Sequence, residues 1–197
     1  MRFALTLPVF AFTMTCGCAL TSRGKASEWS WFTPERVRPQ LTSAALGAGP
    51  AVRIRRVTSG TDLGRRIVFG DGAYEVGYYE QRRWTEGPDL YVRRALERTL
   101  CQEQGFRCDL DGSAATLDIE VLKFQEVKTA RSHAALVSLR VVLSNDRVLL
   151  DDTVQVDDRV LGSSFDEVVA AMARALDGAS GEVARRVGAA LAKATSR

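Results

Sequence analysis

The chain has 197 residues, with 27 Lys+Arg against 24 Asp+Glu, and so a formal net charge of +3. Its 46% apolar and 26% charged residues are ordinary globular values, which exclude a disordered chain, a collagen and a polytopic membrane protein. A charge of +3 without clustered Lys and Arg is no nucleic-acid footprint, and a single His with four Cys leaves little material for a catalytic or metal centre.

Residues 1–17 read MRFALTLPVFAFTMTCG, with Arg2 as a positive start and an apolar run from Phe3 to Met14. A bilayer span takes roughly 20 apolar residues, so this run is too short and has the form of a secretory signal. Gly17, a small residue directly before Cys18, makes the segment resemble the bacterial lipobox, with Thr15 where that signal usually carries Leu. The resemblance implies that residues 1–17 are a lipoprotein signal peptide and that Cys18 becomes the lipidated first residue of the mature chain. An ordinary secretory signal cut elsewhere is the alternative. Ala19 stands where enterobacterial sorting reads any residue but Asp as an outer-membrane address, which would place the anchor in the inner leaflet of that membrane. Residues 18–27 are then a small, polar, lipidated tether, and 28–197 a single periplasmic domain. No other stretch is long and apolar enough to span.

Trp29 and Trp31 share one face of a short opening strand, read as core aromatics in preference to a membrane- or partner-facing pair. Pro34, Pro39, Gly47, Gly49 and Pro50 mark a loop over 34–50. Ala51–Val57 alternates as a strand, Arg66–Phe69 is a second, Gly70-Asp71-Gly72 a turn and Tyr74–Trp84 a third strand. Gly87-Pro88 breaks that strand and starts an amphipathic helix over 88–104, with Leu90, Val92, Ala95, Leu96 and Leu100 in its stripe and Gly105 after its end.

Cys101 and Cys108 follow. With Cys16 lost with the signal and Cys18 lipidated, an even remainder in an exported chain suggests a disulfide, provided the helix ends at Gly105 and the chain turns back. A metal site would need further ligands, none of which lies nearby in sequence, and a buried core thiol is the other alternative.

Three alternating strands come next, through Leu117–Val121, Val137–Leu143 and, after the turn Asn145-Asp146-Arg147, Val148–Val156. They predict an antiparallel meander with one buried face. Ser164-Phe-Asp-Glu167 resembles a capping box, and Phe165, Val168, Met172, Leu176, Ala179, Val183, Val187 and Leu191 mark one helical stripe. Gly178 and Gly181 either bend that helix or let it pack close to the sheet. The expected fold is a two-layer α+β domain: a largely antiparallel sheet with two main helices on one face, in the order strands–helix–strands–helix.

Nothing here composes a catalytic centre. His133 reads as an exposed strand-edge residue, and Ser132 beside it makes no nucleophile–base pair without an orienting group. Asp151-Asp152 and Asp157-Asp158 lack calcium-loop spacing and read as solvated rims. No Gly-x-x-x-x-Gly-Lys-Ser/Thr loop is present. We therefore expect neither enzyme, metal nor cofactor.

The run Arg66-Ile-Val-Phe-Gly-Asp-Gly-Ala-Tyr-Glu-Val-Gly-Tyr-Tyr-Glu-Gln-Arg-Arg-Trp84 resembles the ABC-type transport auxiliary lipoproteins, a family that includes the paraquat-inducible lipoproteins. The likeness extends to Trp31-Phe32 soon after the lipid Cys, to Glu86-Gly87-Pro88 and to the closing helix Val168–Leu176. It implies an accessory subunit of an envelope lipid-transport system. The partners it implies are a periplasmic MCE-domain protein with an inner-membrane permease and ATPase, and a ring of several copies of this chain, with no nucleic acid. Tethering would raise the local concentration of the partner. Arg83 and Trp84 are candidates for the partner interface, against a Trp84 that closes the core beneath the first helix and a solvated Arg83. A structural or chaperone-like envelope lipoprotein outside any transporter is the competing function.

Overall fold

The three alternating segments in the second half of the chain form the centre of the molecule, a computed structural model that describes residues 28–35, 49–71, 74–108 and 114–196. The expected signal peptide over 1–17, Cys18 and the expected tether over 18–27 lie outside the described residues. Strand β1 is Ser30–Phe32, β2 Val52–Ser59, β3 Arg66–Gly70 and β4 Val76–Trp84. Helix α1 is Pro88–Glu97, β5 is Ala115–Lys128, β6 His133–Ser144, β7 Val148–Arg159, and helix α2 is Phe165–Thr195. The strands–helix–strands–helix order is the expected one.

One mixed sheet runs β1-β4-β3-β5-β6-β7, with β2 also on β5. The long ladders β5–β6 and β6–β7 are antiparallel, as the alternation required. Sequence alternation does not reveal the parallel attachments: β1 on β4, β2 on β5 and β3 on β5. Strand β5 has 14 residues, long enough for one edge to take β2 along Ala115–Val121 and β3 along Gln125–Val127 while the other edge takes β6. Between those two seats the register slips at Leu122, the extra residue of a bulge.

The inward face of β6, Ala135, Val137, Leu139, Val141 and Leu143, is fully buried. Over it lie Val168, Met172, Leu176, Ala179, Val183 and Val187 of α2. Burying an aliphatic side chain contributes about 1.5–3 kcal/mol, so this layer supplies much of the folding energy. Ser164 Oγ accepts the Glu167 N–H at 3.4 Å, half of the expected capping box. Gly178 has a packing reason: a Cβ there would stand 3.2 Å from Val156 Cγ1, so the helix lies close on β7. Gly181 meets no such neighbour.

The first helix runs as expected but changes winding. Pro88 sits in its first turn, and Tyr91, Val92, Ala95 and Leu96 are buried. From Arg98 to Glu103 the chain continues as a π-helical turn, closed by Gln104 N–H to Thr99 O at 3.0 Å. Gly105 then takes a φ of +70°, which glycine adopts without a Cβ clash, and reverses the chain. The reversal brings Cys108 back to Cys101, to which it is joined in the structure with the Cα atoms 5.7 Å apart. Among the described residues no helix is long and apolar enough to cross a membrane.

Candidate functional site, an arginine and tryptophan sheet edge

At the β1 edge the packing rule of the rest of the molecule reverses. Trp29 and Trp31 are each 51% exposed. This corrects the expectation that they belong to the core. The reason is topological: β1 is a three-residue edge strand, and its parallel pairing with the end of β4 leaves the indoles beside Arg83 of that strand and Arg65 just before β3. Arg83 places its guanidinium carbon 4.2 Å from the Trp29 ring centre, and Arg65 places its own 4.9 Å from that of Trp31. Both distances lie in the range of cation–π attraction. Arg83 is held in place by donating to Tyr79 O at 2.5 Å and Arg82 O at 2.8 Å, and Arg65 donates to Thr85 O.

Behind this edge lies an aromatic joint. Phe32 and Phe165 stand edge to face at 4.7 Å, Tyr79 and Phe165 at 5.0 Å, and Phe69 and Tyr79 at 5.1 Å. Arg82 covers Phe165 at 4.1 Å and Tyr79 at 4.9 Å. The joint ties β1 and β4 to the first residue of α2 and fixes how the edge sits on the domain.

Arg83 and Trp84, candidates together in the sequence, part company. Trp84 is fully buried against Phe124 at 5.6 Å and Tyr91 at 6.3 Å. It therefore closes the core beneath α1 and offers no surface to a partner. Arg83 is half-buried and faces the tryptophans.

The sequence did not point to Glu126. Its side chain is 3% exposed, accepts from the Tyr79 hydroxyl and meets His133 Nε2 at 2.5 Å. The bulge at Leu122 explains the omission. Residues 117, 119 and 121 face inward, and the slip hands that face to Phe124 and Glu126. His133 is consequently not the exposed strand-edge residue expected; its side chain is 27% exposed and engaged with a buried carboxylate. Burial, then the hydrogen bond and charge of Glu126, push the Tyr79 phenol well above its ordinary value. The three residues join β4 to the β5–β6 hairpin.

Three of the four paired aspartates on β7, read as solvated rims, are engaged in ion pairs. Asp151 meets Arg140, Asp152 meets Arg186, and Asp158 meets Arg174 at 2.7 Å. Among the described residues no three His, Cys, Asp or Glu side chains gather as a metal site.

Comparison with known proteins agrees with this architecture. The family model described as ABC-type transport auxiliary lipoprotein component matches residues 34–184. Protein XCC0632 from Xanthomonas campestris is similar in structure, with a TM-score of 0.72 at 16% identity over 85% of this chain and 99% of that one. A second crystal structure, of an uncharacterized protein, gives a TM-score of 0.61 at 15% identity over 81% and 99% of the two chains. At such identities the likeness shows a shared fold. No curated protein matches the chain.

Proposed function

Because this chain belongs to the ABC-type transport auxiliary lipoprotein component family, we propose that it serves an ABC/MCE-type envelope lipid-transport system as a lipid-anchored docking subunit. The match over residues 34–184, most of the domain, carries this reading. Membership makes the chain an auxiliary transport component of the cell envelope, held on a membrane, and not a member of an enzyme family. The finer parts are ours. Cys18 bears the lipids, in the inner leaflet of the outer membrane facing the periplasm. The folded domain docks a periplasmic MCE-domain protein, which connects to the permease and ATPase of the inner membrane, and several copies form a ring around the conduit. The Cys101–Cys108 bond is kept in the oxidising periplasm.

The physical logic is confinement. Several acyl chains hold a protein on a membrane far longer than one does. A domain fixed to one membrane meets a partner reaching towards it at a raised effective concentration, so modest contact area suffices. Energy for transport comes from the ATPase partner, and this chain supplies position.

Co-purification of the full-length protein from solubilised membranes tests this reading. The expected result is recovery of an MCE-domain protein with the bait, and loss of that recovery for Cys18→Ser, which is not anchored. Clean recovery without any MCE-domain protein contradicts it and favours an envelope lipoprotein outside the transporter.

A further inference from the structure

Among the described residues, arginines that lack a carboxylate partner occur elsewhere in the domain, but only on β3 and β4 and just before them do they stand over aromatic rings. Arg94, Arg98, Arg140, Arg174 and Arg186 each have a carboxylate partner. Arg65, Arg66, Arg82 and Arg83 have none among the described residues, and all four lie on β3 and β4 or just before them. Each of the four stands instead over an aromatic ring: Arg65 over Trp31, Arg66 over Tyr78, Arg82 over Phe165 and Tyr79, and Arg83 over Trp29. Glu28 and Glu80 lie next to these residues in the sequence, and among the described residues neither forms an ion pair with the four arginines. Uncompensated guanidinium groups interleaved with half-exposed indoles fit a surface that is negatively charged outside and apolar just beneath. That describes the headgroup level of an anionic bilayer, where the amphipathic Trp ring is favoured.

The position of the patch in the chain selects the same occupant. Cys18 and Trp29 are separated by a short run that includes the tether 18–27. Ten residues span at most about 35 Å. Strand β1 is the first element after the tether and an edge of the sheet, so its indoles are the first exposed aromatics the anchor brings to the membrane. We propose that the edge formed by Trp29, Trp31, Arg65 and Arg83 is a second membrane contact, seated on the anionic phospholipid headgroups of the bilayer that holds Cys18. The proposal rests on lipidation at Cys18. It turns a single anchor point into an oriented mount: the β1 edge faces the membrane, and β7, at the opposite edge of the sheet, points away from it. Arg83 then contacts lipid, and the protein partner docks elsewhere on the domain.

Tryptophan fluorescence tests the mount, because the chain has three Trp residues and Trp84 is a buried internal reference. The lipidated full-length protein is reconstituted in vesicles of phosphatidylethanolamine with phosphatidylglycerol, and in vesicles of phosphatidylethanolamine with phosphatidylcholine. Acrylamide probes from the water side and brominated phospholipids from the bilayer side. On the anionic vesicles the expected result is a blue-shifted emission, quenching by brominated lipid and a loss of quenching by acrylamide. The double variant Arg65→Gln with Arg83→Gln loses the dependence on phosphatidylglycerol while staying folded, its urea midpoint lowered only by the loss of two exposed cation–π contacts. The double variant Trp29→Phe with Trp31→Phe removes the shift and leaves only Trp84, which neither quencher reaches. Indoles open to acrylamide on both vesicles, with Cys18 lipidated by mass spectrometry, overturn the mount and leave the anchor standing. An unmodified Cys18 overturns both. Protection that appears only on addition of a purified MCE-domain partner assigns the edge to protein docking and overturns the membrane contact.

Discussion

The layer formed by β6, β7 and α2 and the edge formed by β1 and β4 are built from similar residue types under opposite rules. In the first, apolar side chains are fully buried and three arginines are paired, Arg140 with Asp151, Arg174 with Asp158 and Arg186 with Asp152. In the second, two tryptophans stand half in solvent and the arginines beside them find rings in place of carboxylates. Exposed ion pairs contribute little to stability, so pairing in the first region chiefly removes net charge from that surface. The second region keeps its charge. The first surface carries arginines balanced by carboxylates, and the second carries arginines balanced only by rings.

Tryptophan truncation is the sharpest way to break this contrast. Trp84→Ala removes a fully buried ring from between Phe124 and Tyr91 and should lower the unfolding free energy by about 3–5 kcal/mol. Trp29→Ala and Trp31→Ala should each lower it by about 0.5–1 kcal/mol, the worth of an exposed cation–π contact. Urea denaturation of the three variants gives the comparison directly. Equal losses would mean that the edge is part of the core after all.

Next in size is the disulfide. Replacing Cys101 and Cys108 with Ser frees the turn after the π-helical segment and should cost roughly 2–3 kcal/mol, measured as the shift of the unfolding midpoint with and without reductant. An unchanged midpoint would show that the turn is held by its backbone bonds alone, such as Val52 N–H to Arg107 O at 2.9 Å.

The Glu126 joint comes third. Glu126→Ala strands the Tyr79 hydroxyl and His133 without their acceptor and should cost roughly 1–3 kcal/mol. The same joint gives an alkaline signature. The Tyr79 phenol is raised above the ordinary value of 10.0, first by burial and then by Glu126, so the native state holds its proton more tightly than the unfolded chain does. Its contribution is complete below pH 10 and declines as the pH rises above that value. A pH series of urea midpoints should show the decline in the native sequence and a shallower one in Tyr79→Phe.

The smallest effect lies on the exposed face of α2. Hydrogen bonds from Arg185 and then Arg186 lower the Glu182 carboxyl from 4.5 to about 2. A depressed acid stabilises the fold above its unfolded value and loses that contribution as pH falls towards its folded one. Glu182→Gln should therefore flatten the acid limb of the stability profile between about pH 4.5 and 2, by a small loss of stability at neutral pH that vanishes towards pH 2.

The first region was the legible one. Alternation through Leu117–Val121 and Val137–Leu143 and the 3.6-residue stripe from Phe165 onward name both element and buried face, because the hydrophobic pattern of a half-buried strand or helix is local. Gly105 likewise announces the reversal that joins the cysteines. Three features escaped for physical reasons. The parallel seats of β1, β2 and β3 depend on partners far away in sequence, and no local period encodes them. The bulge at Leu122 exchanges the two faces of β5, so Glu126 turns inward where continued alternation puts it outside. Trp29 and Trp31 read as core from residue type alone, and only their place just before and within a short edge strand explains their exposure. Both corrections fall near β1 and β4, where the protein departs from what folding alone requires.

Intact mass spectrometry of the native polypeptide extracted from membranes tests the anchored-subunit claim most directly. The predicted result is a chain that begins at Cys18 and carries acyl chains on that residue. A mature chain that begins elsewhere, or a Cys18 without lipid, would contradict it.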